Sequence, residues 1–417
     1  MELKPGYKQT EVGVIPEDWD VQPLLSAVRI ASGQVSPRIE PYKSMILVAP
    51  DHIESSTGRL LSRVTAADQG AISGKYLFGP GDILYSKIRP YLRKATIARF
   101  SGLCSADMYP LAPAKGVSSG YMLAVILGHR FTKYAESVSV RSGMPKINRE
   151  ELSGFSIPIP PGPEQIRIAE TLGDVDQLLD LLEGLIAKKQ DIKQAAMQEL
   201  LTGKRRLPGF EGEWEVTEVK NVVSRHFCGP SPTCEERNIE GDDEWGVLKT
   251  TAITWENGWT WKAHKLLPTS YWGKTDLELR KGDVLVTKAG PRHRVGVSAW
   301  VDHIPRHIIP SGKMIALRPI PKKAEPLMLA AAIASRETQS YLDQRTTGMA
   351  ESQVNFENSA LLSASISLPS IDEQSAISGI CSDFDRELQD LEKKIATLRR
   401  LKEGMMQQLL TGKIRLT

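Results

Sequence analysis

"QELLTGKRRL" at residues 198–207 returns as "QQLLTGKIRL" at residues 407–416, with eight of ten letters unchanged 209 positions later. A repeat is read before any single motif, because it states how often one structural unit has been written. Sliding the chain by 209 aligns 160–207 with 369–416 without a gap, and Glu164-Gln165, Asp174, Asp176, Leu179, Leu182-Glu183, Ile186-Ala187 and Met197-Gln198 all meet identical residues. The apolar positions match as well. Val175, Leu179, Leu182, Ile186, Ile192, Ala196 and Leu200 fall on Phe384, Leu388, Leu391, Ile395, Leu401, Met405 and Leu409. Spacings of three and four make one helical stripe in each copy, close to a heptad seam, and each stripe needs a partner.

The helix ends are legible in local chemistry. Ser370 stands three before Glu373 in a capping-box pattern, and Pro163 sits in an opening turn that has no use for its N–H. Gly203 and Gly412 follow the last apolar positions, where a left-handed residue closes a helix at least cost as glycine. Asp174 and Asp383 are placed to cap a fresh start, so each segment is expected to be a short helix followed by a long one. The long part then covers about 27 residues from 175, roughly 40 Å at 1.5 Å per residue.

A weaker echo joins the regions before the helices. "EDWDVQPL" at 17–24 resembles "GEWEVTEV" at 212–219, "GPGDILYSK" at 79–87 resembles "RKGDVLVTK" at 280–288, and "SGMPKIN" at 142–148 resembles "TGMAESQVN" at 347–355. The offset drifts from 195 through 201 to 207, as two copies of one domain with unequal loops would give. Short β-branched runs broken by Gly and Pro read as mixed α/β with a twisted sheet in each copy. The order is therefore variable domain, helix, variable domain, helix. If the two stripes pack together the helices run antiparallel, and the chain becomes a pseudo-two-fold object, an isologous dimer fused into one polypeptide.

Composition bounds the function. At 417 residues with 41% hydrophobic and 25% charged residues, the chain can bury two ordinary cores and reads as a soluble protein. No apolar run reaches signal-peptide or membrane-span length, which places the protein in the cytoplasm with no membrane partner. Four scattered cysteines without CxxC spacing indicate neither a disulfide framework nor a zinc finger. His226, Cys228 and Cys234 in "HFCGPSPTC" fit no standard zinc spacing, so no metal is expected. A net charge of +3 does not diagnose a nucleic-acid partner, so any basic surface must be local.

These residues resemble the specificity subunits of Type I restriction-modification systems. The resemblance rests on "PPGPEQIRIAETLGDVD" with "LLTGKRRL", on "PSIDEQSAISGICSDFD" with "LLTGKIRL", on "TEVGVIPEDWDV" and on "GDILYSKIRPYLRKA", and it covers essentially the whole chain. It implies a first target recognition domain at 1–157, a central spacer helix at 158–207, a second target recognition domain at 208–366 and a C-terminal spacer helix at 367–417. It further implies that each domain reads one half of an asymmetric bipartite site in double-stranded DNA. The helices would hold two modification (methyltransferase) subunits and, through the complex, restriction subunits. The departure lies at "TGMAESQVN", two residues longer than its counterpart.

Residues offer their own case for DNA. In "KIRPYLRK", Lys87, Arg89, Arg93 and Lys94 interleave with Tyr91; in "TKAGPRHRVG", Lys288, Arg292, His293 and Arg294 hold the matching place after the Gly-Asp turn. Cations of this kind bind phosphate for register and read guanine for sequence, or else form solvated surface turns. Lys146, Asn148, Gln353 and Asn355, with Arg141 and Arg345 just before their motifs, are further candidates; Asn and Gln either read adenine or serve turn chemistry. For the stripe, the choice is between a seam closed within the chain and a wider face, extended by Leu178, Leu181, Leu185, Leu201, Leu398 and Leu410, that other subunits complete. No phosphate-cradling glycine loop, HExxH, GxSxG or amino-methyltransferase motif occurs, and the acids of "EGEWEVTEVK" lack an identifiable partner for metal-assisted cleavage. The chain is expected to bind no cofactor and to supply address and scaffold, the alternative being a helical adaptor with no DNA readout.

Overall fold

Each Gly-Asp turn opens a strand that is buried at every position, Ile83–Ser86 in the first half and Val284–Thr287 in the second. Gly81 and Gly282 take φ of +90° and +93°, which only glycine adopts without strain. The neighbouring aspartate then ties the turn: Asp82 Oδ2 accepts from the Gly79 N–H at 2.8 Å, and Asp283 Oδ2 from the Arg280 N–H at 2.8 Å. The computed structural model describes residues 4–139, 144–255 and 258–417. The chain divides into two units, Met1–Ile186 with Leu391–Thr417, and Ala187–Asp390.

The units share one plan. In the first, β1 (Val28–Ile30), β2 (Ile83–Ser86), β3 (Ala95–Ile97) and β4 (Met108–Pro113) form an antiparallel sheet in the order β1-β4-β2-β3. In the second, β5 (Val223–Phe227), β6 (Val284–Thr287), β7 (Ser298–Trp300) and β8 (Met314–Pro319) repeat it as β5-β8-β6-β7. A smaller sheet accompanies each, with one parallel pair: Leu103 beside Leu47, and Gly246 beside Ile308. Behind β4 come α1 (Ser119–Leu127), α2 (His129–Val138) and α3 (Arg149–Ser153), then the long α4 (Gly162–Leu201). Behind β8 come α5 (Pro326–Ile333), α6 (Arg336–Asp343) and α7 (Asn358–Leu362), then α8 (Ile371–Leu409). A two-stranded ribbon stitches the entrance of each domain to its exit, Asp20–Pro23 with Ser156–Ile159 and Glu215–Glu218 with Ser365–Leu368.

The long helices are continuous, 40 and 39 residues, with no break at Asp174 or Asp383. An aspartate caps only by taking its own backbone out of the helix. Leaving Gly173 inside costs about 1 kcal/mol, less than the burial of Ile168, Leu172 and Leu179 on one uninterrupted face. In the first unit Ile168 and Leu172 of α4 meet Met406 and Leu409 of α8 in the main core; in the second, Met197 and Leu200 of α4 meet Ile377 and Cys381 of α8. Of the expected stripe, Leu179, Leu200, Leu391, Ile395 and Leu409 are buried, and Val175, Leu182, Ile186, Phe384 and Leu388 are half-buried. Ile192 and Leu401 are exposed instead. The heptad that runs through 179, 186 and 200 places Lys193, not Ile192, on the seam, and Lys402 is its equivalent. Each lysine meets the equivalent aspartate of the other helix: Lys402 Nζ lies 2.5 Å from Asp176 in the first unit, and Lys193 pairs with Asp385 in the second. Within each unit these pairs fix the antiparallel register.

The repeated "TGKxRL" tail now has a physical reason. Arg415, at the end of α8, makes two hydrogen bonds of 2.7 and 2.8 Å to Glu164 at the start of α4, and two more, of 3.0 and 2.7 Å, to Asp18. Arg206, at the end of α4, makes the equivalent pair of 2.6 Å bonds to Glu373 at the start of α8. Both carboxylates are deep, with side chains 3% and 1% exposed. Each helix ending clasps the beginning of the other. The neighbouring glutamines repeat their roles too: Gln165 accepts from the Ser118 N–H and donates to the Pro160 carbonyl, and Gln374 does the same with Glu325 and Pro369. The clasps differ at tryptophan. Trp19 Nε1 donates to Glu164 at 3.0 Å, whereas Trp214 Nε1 is buried without an acceptor among the described residues.

Gly203 and Gly412 close the helices at φ of +69° and +68°. A methyl group at Gly412 would also meet Pro16 and the Trp19 ring, and one at Gly203 would lie 3.1 Å from Trp214. Gly412→Ala is therefore expected to lower the stability of the first unit by more than the roughly 1–2 kcal/mol of left-handed strain alone, measured by urea unfolding.

Candidate nucleic-acid interface

The basic loop of the first unit turns on two left-handed arginines, Arg89 (φ +46°) and Arg93 (φ +49°), flanking a single 3-10 turn at Pro90–Leu92. Non-glycine residues in this region mark a loop whose shape is imposed by its surroundings. The loop turns its two ends in different directions. Arg93 faces inward: its guanidinium donates to the Leu127 carbonyl at the end of α1 and lies 3.7 Å from Glu403. Lys94 donates to the Pro50 carbonyl at 2.7 Å. Arg89 and Tyr91 face outward, exposed, and the Arg89 guanidinium has no partner among the described residues. Lys146 is exposed on the neighbouring segment, held close by the Arg89 N–H to Pro145 carbonyl bond of 2.8 Å. Lys87 Nζ and the Arg149 guanidinium lie 5.2 and 5.8 Å from the Tyr109 ring centroid. Arg149 escaped the sequence reading, although it directly follows Asn148 in "KINRE".

The second loop occupies the equivalent place and spends its cations differently. Arg292 is bound to Asp343 and, at 3.0 Å, to Glu351, and the nearby Glu351 charge raises its already high pKa further. Lys288 donates to Asn358 at 3.0 Å and Arg294 to the Thr250 carbonyl at 3.1 Å. Arg345 lies over the Tyr341 ring at 3.7 Å and donates to the Tyr341 carbonyl. His293 and Gln353 remain exposed. Arg141 lies outside the described residues.

The two Asn positions separate on inspection. Asn148 caps α3, its Oδ1 accepting from the Glu151 N–H at 2.8 Å while Glu151 returns a bond to the Asn148 N–H. Backbone bonds from Ile147 to Lys87 and from Phe356 to Lys288 are equivalent, so the offset here is already 209. Asn355 therefore corresponds to Lys146, and the counterpart of Asn148 is Glu357, the residue before α7. Pairing Asn148 with Asn355 by letter misplaced the register by two. Asn355 sits exposed on a hairpin strand, its side chain accepting from Thr347 at 3.0 Å.

Among the described residues no three His, Cys, Asp or Glu side chains are grouped to hold a metal ion, and no helix is long and apolar enough to cross a membrane. What the two units present is one scaffold with two unlike loop edges.

Comparison with known proteins gives that arrangement a family. The family model described as "Type I restriction modification DNA specificity domain" matches residues 57–189 and 211–399, one match in each half. The chain belongs to the Type I restriction-modification DNA specificity family. It is 35% identical over 201 residues to the Type I restriction enzyme EcoDI specificity subunit of Escherichia coli, a match covering 47% of this chain and 44% of that protein. To the EcoEI specificity subunit of Escherichia coli it is 26% identical, covering 76% of this chain and 70% of that one. A solved chain described under "Structural basis underlying complex assembly and conformational transition of the type I R-M system" shares the fold with a TM-score of 0.62 at 19% identity, covering 96% of this chain and 99% of that one.

Proposed function

We propose that each unit reads one half of an asymmetric, two-part site in double-stranded DNA, and that the chain itself carries out no chemistry. The observation that carries this reading is the reuse of one sheet-and-helix plan in two units whose corresponding loops bear unlike outward residues. Lys87, Arg89, Tyr91 and Lys146 face DNA in the first unit, and His293 and Gln353 in the second. Arg93, Lys94, Lys288, Arg292 and Arg294 shape the loops that present them. Phosphate contacts then set register while the few free polar and aromatic groups select bases. Methyl transfer falls to two modification subunits seated along α4 and α8, and cleavage to restriction subunits joined through them, all in the cytoplasm where the chromosome lies.

A row on α4 supports the subunit contact. Leu178, Leu181 and Leu185 recur at helical spacing and stand exposed, Leu181 at 65%. Their equivalents on α8 are Glu387, Asp390 and Lys394.

Co-expression with a neighbouring methyltransferase gene in a methylation-free host, followed by single-molecule sequencing of modified bases, is expected to yield one gapped, asymmetric motif. A stable complex without methylation would favour the adaptor reading. Arg89→Ala is expected to relax the letters of one half only, with discrimination falling by about 1–3 kcal/mol at one position. An equal loss on every sequence, with a shallower salt dependence, would assign Arg89 to phosphate.

A further inference from the structure

We infer that Trp255 reads the C5-methyl group of a thymine within the half-site recognised by the second unit. The inference rests on the proposed function and supplies a base-reading group that the basic motifs do not contain. Trp255 stands 47% exposed at the end of a short hairpin, Ile253–Thr254 against Gly258–Trp259. The hairpin is anchored from its other strand, where Trp259 Nε1 donates to the His303 carbonyl at 3.2 Å. Trp255 Nε1 donates to the carbonyl of His293, within the outward basic turn, also at 3.2 Å. That bond holds the indole beside His293 and uses its only polar hydrogen. What remains to offer a ligand is an apolar ring face.

The surroundings match. Trp255 lines a cleft of about 410 Å³ whose apolar wall includes Val295 and Leu342; the polar wall carries Arg292 paired with Asp343, and Arg336, exposed and without a partner among the described residues. In an intact duplex the base faces are closed by stacking, so a protein meets base edges. Among the groups on major-groove edges, the thymine methyl is the one that projects apolar surface beyond the ring; cytosine offers only a C5–H there, and the remaining groups are chiefly hydrogen-bond donors or acceptors. An indole with no free donor therefore selects thymine, and Arg336 is positioned to serve a phosphate nearby.

The test uses the chain in complex with its modification subunit, on duplexes carrying the motif found for the wild type. Each thymine is replaced in turn by deoxyuridine, which removes the methyl and nothing else. One replacement is expected to slow wild-type methylation about fourfold, the worth of one buried methyl group. Trp255→Ala is expected to be slower by the same factor on the thymine duplex and indifferent to that replacement, while Trp255→Phe keeps part of the discrimination. The inference is overturned if Trp255→Ala still distinguishes every thymine from deoxyuridine as the wild type does, or if the motif contains no thymine whose methyl matters. A wild-type complex with no gapped motif would overturn the proposed function and this inference with it, and so the two failures are told apart.

Discussion

Arg415→Ala is expected to destabilise the first unit by about 3–5 kcal/mol, because it leaves the Glu164 carboxylate buried without its cation. The Glu164 side chain is 3% exposed and Arg415 supplies it with two hydrogen bonds, so water cannot readily take the place of the guanidinium. Trp19 would still donate to it, a remnant the second clasp lacks. Arg206→Ala, which strips Glu373 of its two guanidinium bonds, is therefore expected to destabilise the second unit as well. Urea unfolding of the two variants beside the wild type checks both, and Arg415→Met with Glu164→Gln should recover most of the loss by removing both charges. Two equal losses below 1 kcal/mol would mean that the clasps are ordinary surface pairs. The clasp also has a pH signature. Burial alone would raise the Glu164 carboxyl, but hydrogen bonds from Arg415 and Trp19 bring it below the usual carboxylate range, and the Arg415 bond lowers Asp18 likewise. A carboxyl depressed in the folded state gives stability that is complete above its ordinary value and is lost as the pH falls through the folded one. The wild type should therefore lose stability on acidification below the ordinary carboxylate value, and Glu164→Gln with Arg415→Met should lose less.

Leu181→Glu is expected to abolish association with a modification subunit while leaving the fold intact. Leu181 is the most exposed of its row, so a carboxylate there meets only water in the free chain. In a complex that covers the row, the same substitution forfeits about 1.5–3 kcal/mol of apolar burial and adds the desolvation of a charge, weakening association at least about 100-fold. Copurification and methylation should both fail while circular dichroism stays unchanged. Unaltered copurification would move the contact off this row. Asp390 already occupies the equivalent place on α8, so the two helices differ chemically along this row.

The repeat made the two-unit fold legible, because identical letters 209 apart include the residues that hold it together: Glu164 and Glu373, Gln165 and Gln374, Arg206 and Arg415, Asp176 and Asp385. Their identity was visible; that each glutamate serves the opposite helix was not, since pairing across 167 or 251 residues follows from packing and not from spacing. The seam was read one residue wide of its path at Ile192, where an ion pair and not an apolar residue occupies the heptad position. Asp174 looked like a cap, yet the cost of an interior Gly-Asp pair is small against a continuous buried face. Among the basic loops, charge showed where cations cluster but not which way they turn. Arg89 and Arg93 are four residues apart and both left-handed, yet one guanidinium is exposed and the other bonds the Leu127 carbonyl. Trp255 carried no signal beyond being an aromatic residue in a turn-rich stretch.

The two ribbons that close each domain on itself have a consequence for how new specificities arise. Asp20–Pro23 lies hydrogen-bonded to Ser156–Ile159, and Glu215–Glu218 to Ser365–Leu368, so each recognition domain has its entry and exit side by side. Whatever is inserted between those two points need satisfy only a narrow port and a shared helix, and everything beyond the port is free to differ. On the proposed reading, exchange of everything between the paired ribbon strands would bring a new half-site while leaving the clasps and the helix register untouched. The architecture thus permits a recognition domain to be replaced whole, without retuning a single loop in place.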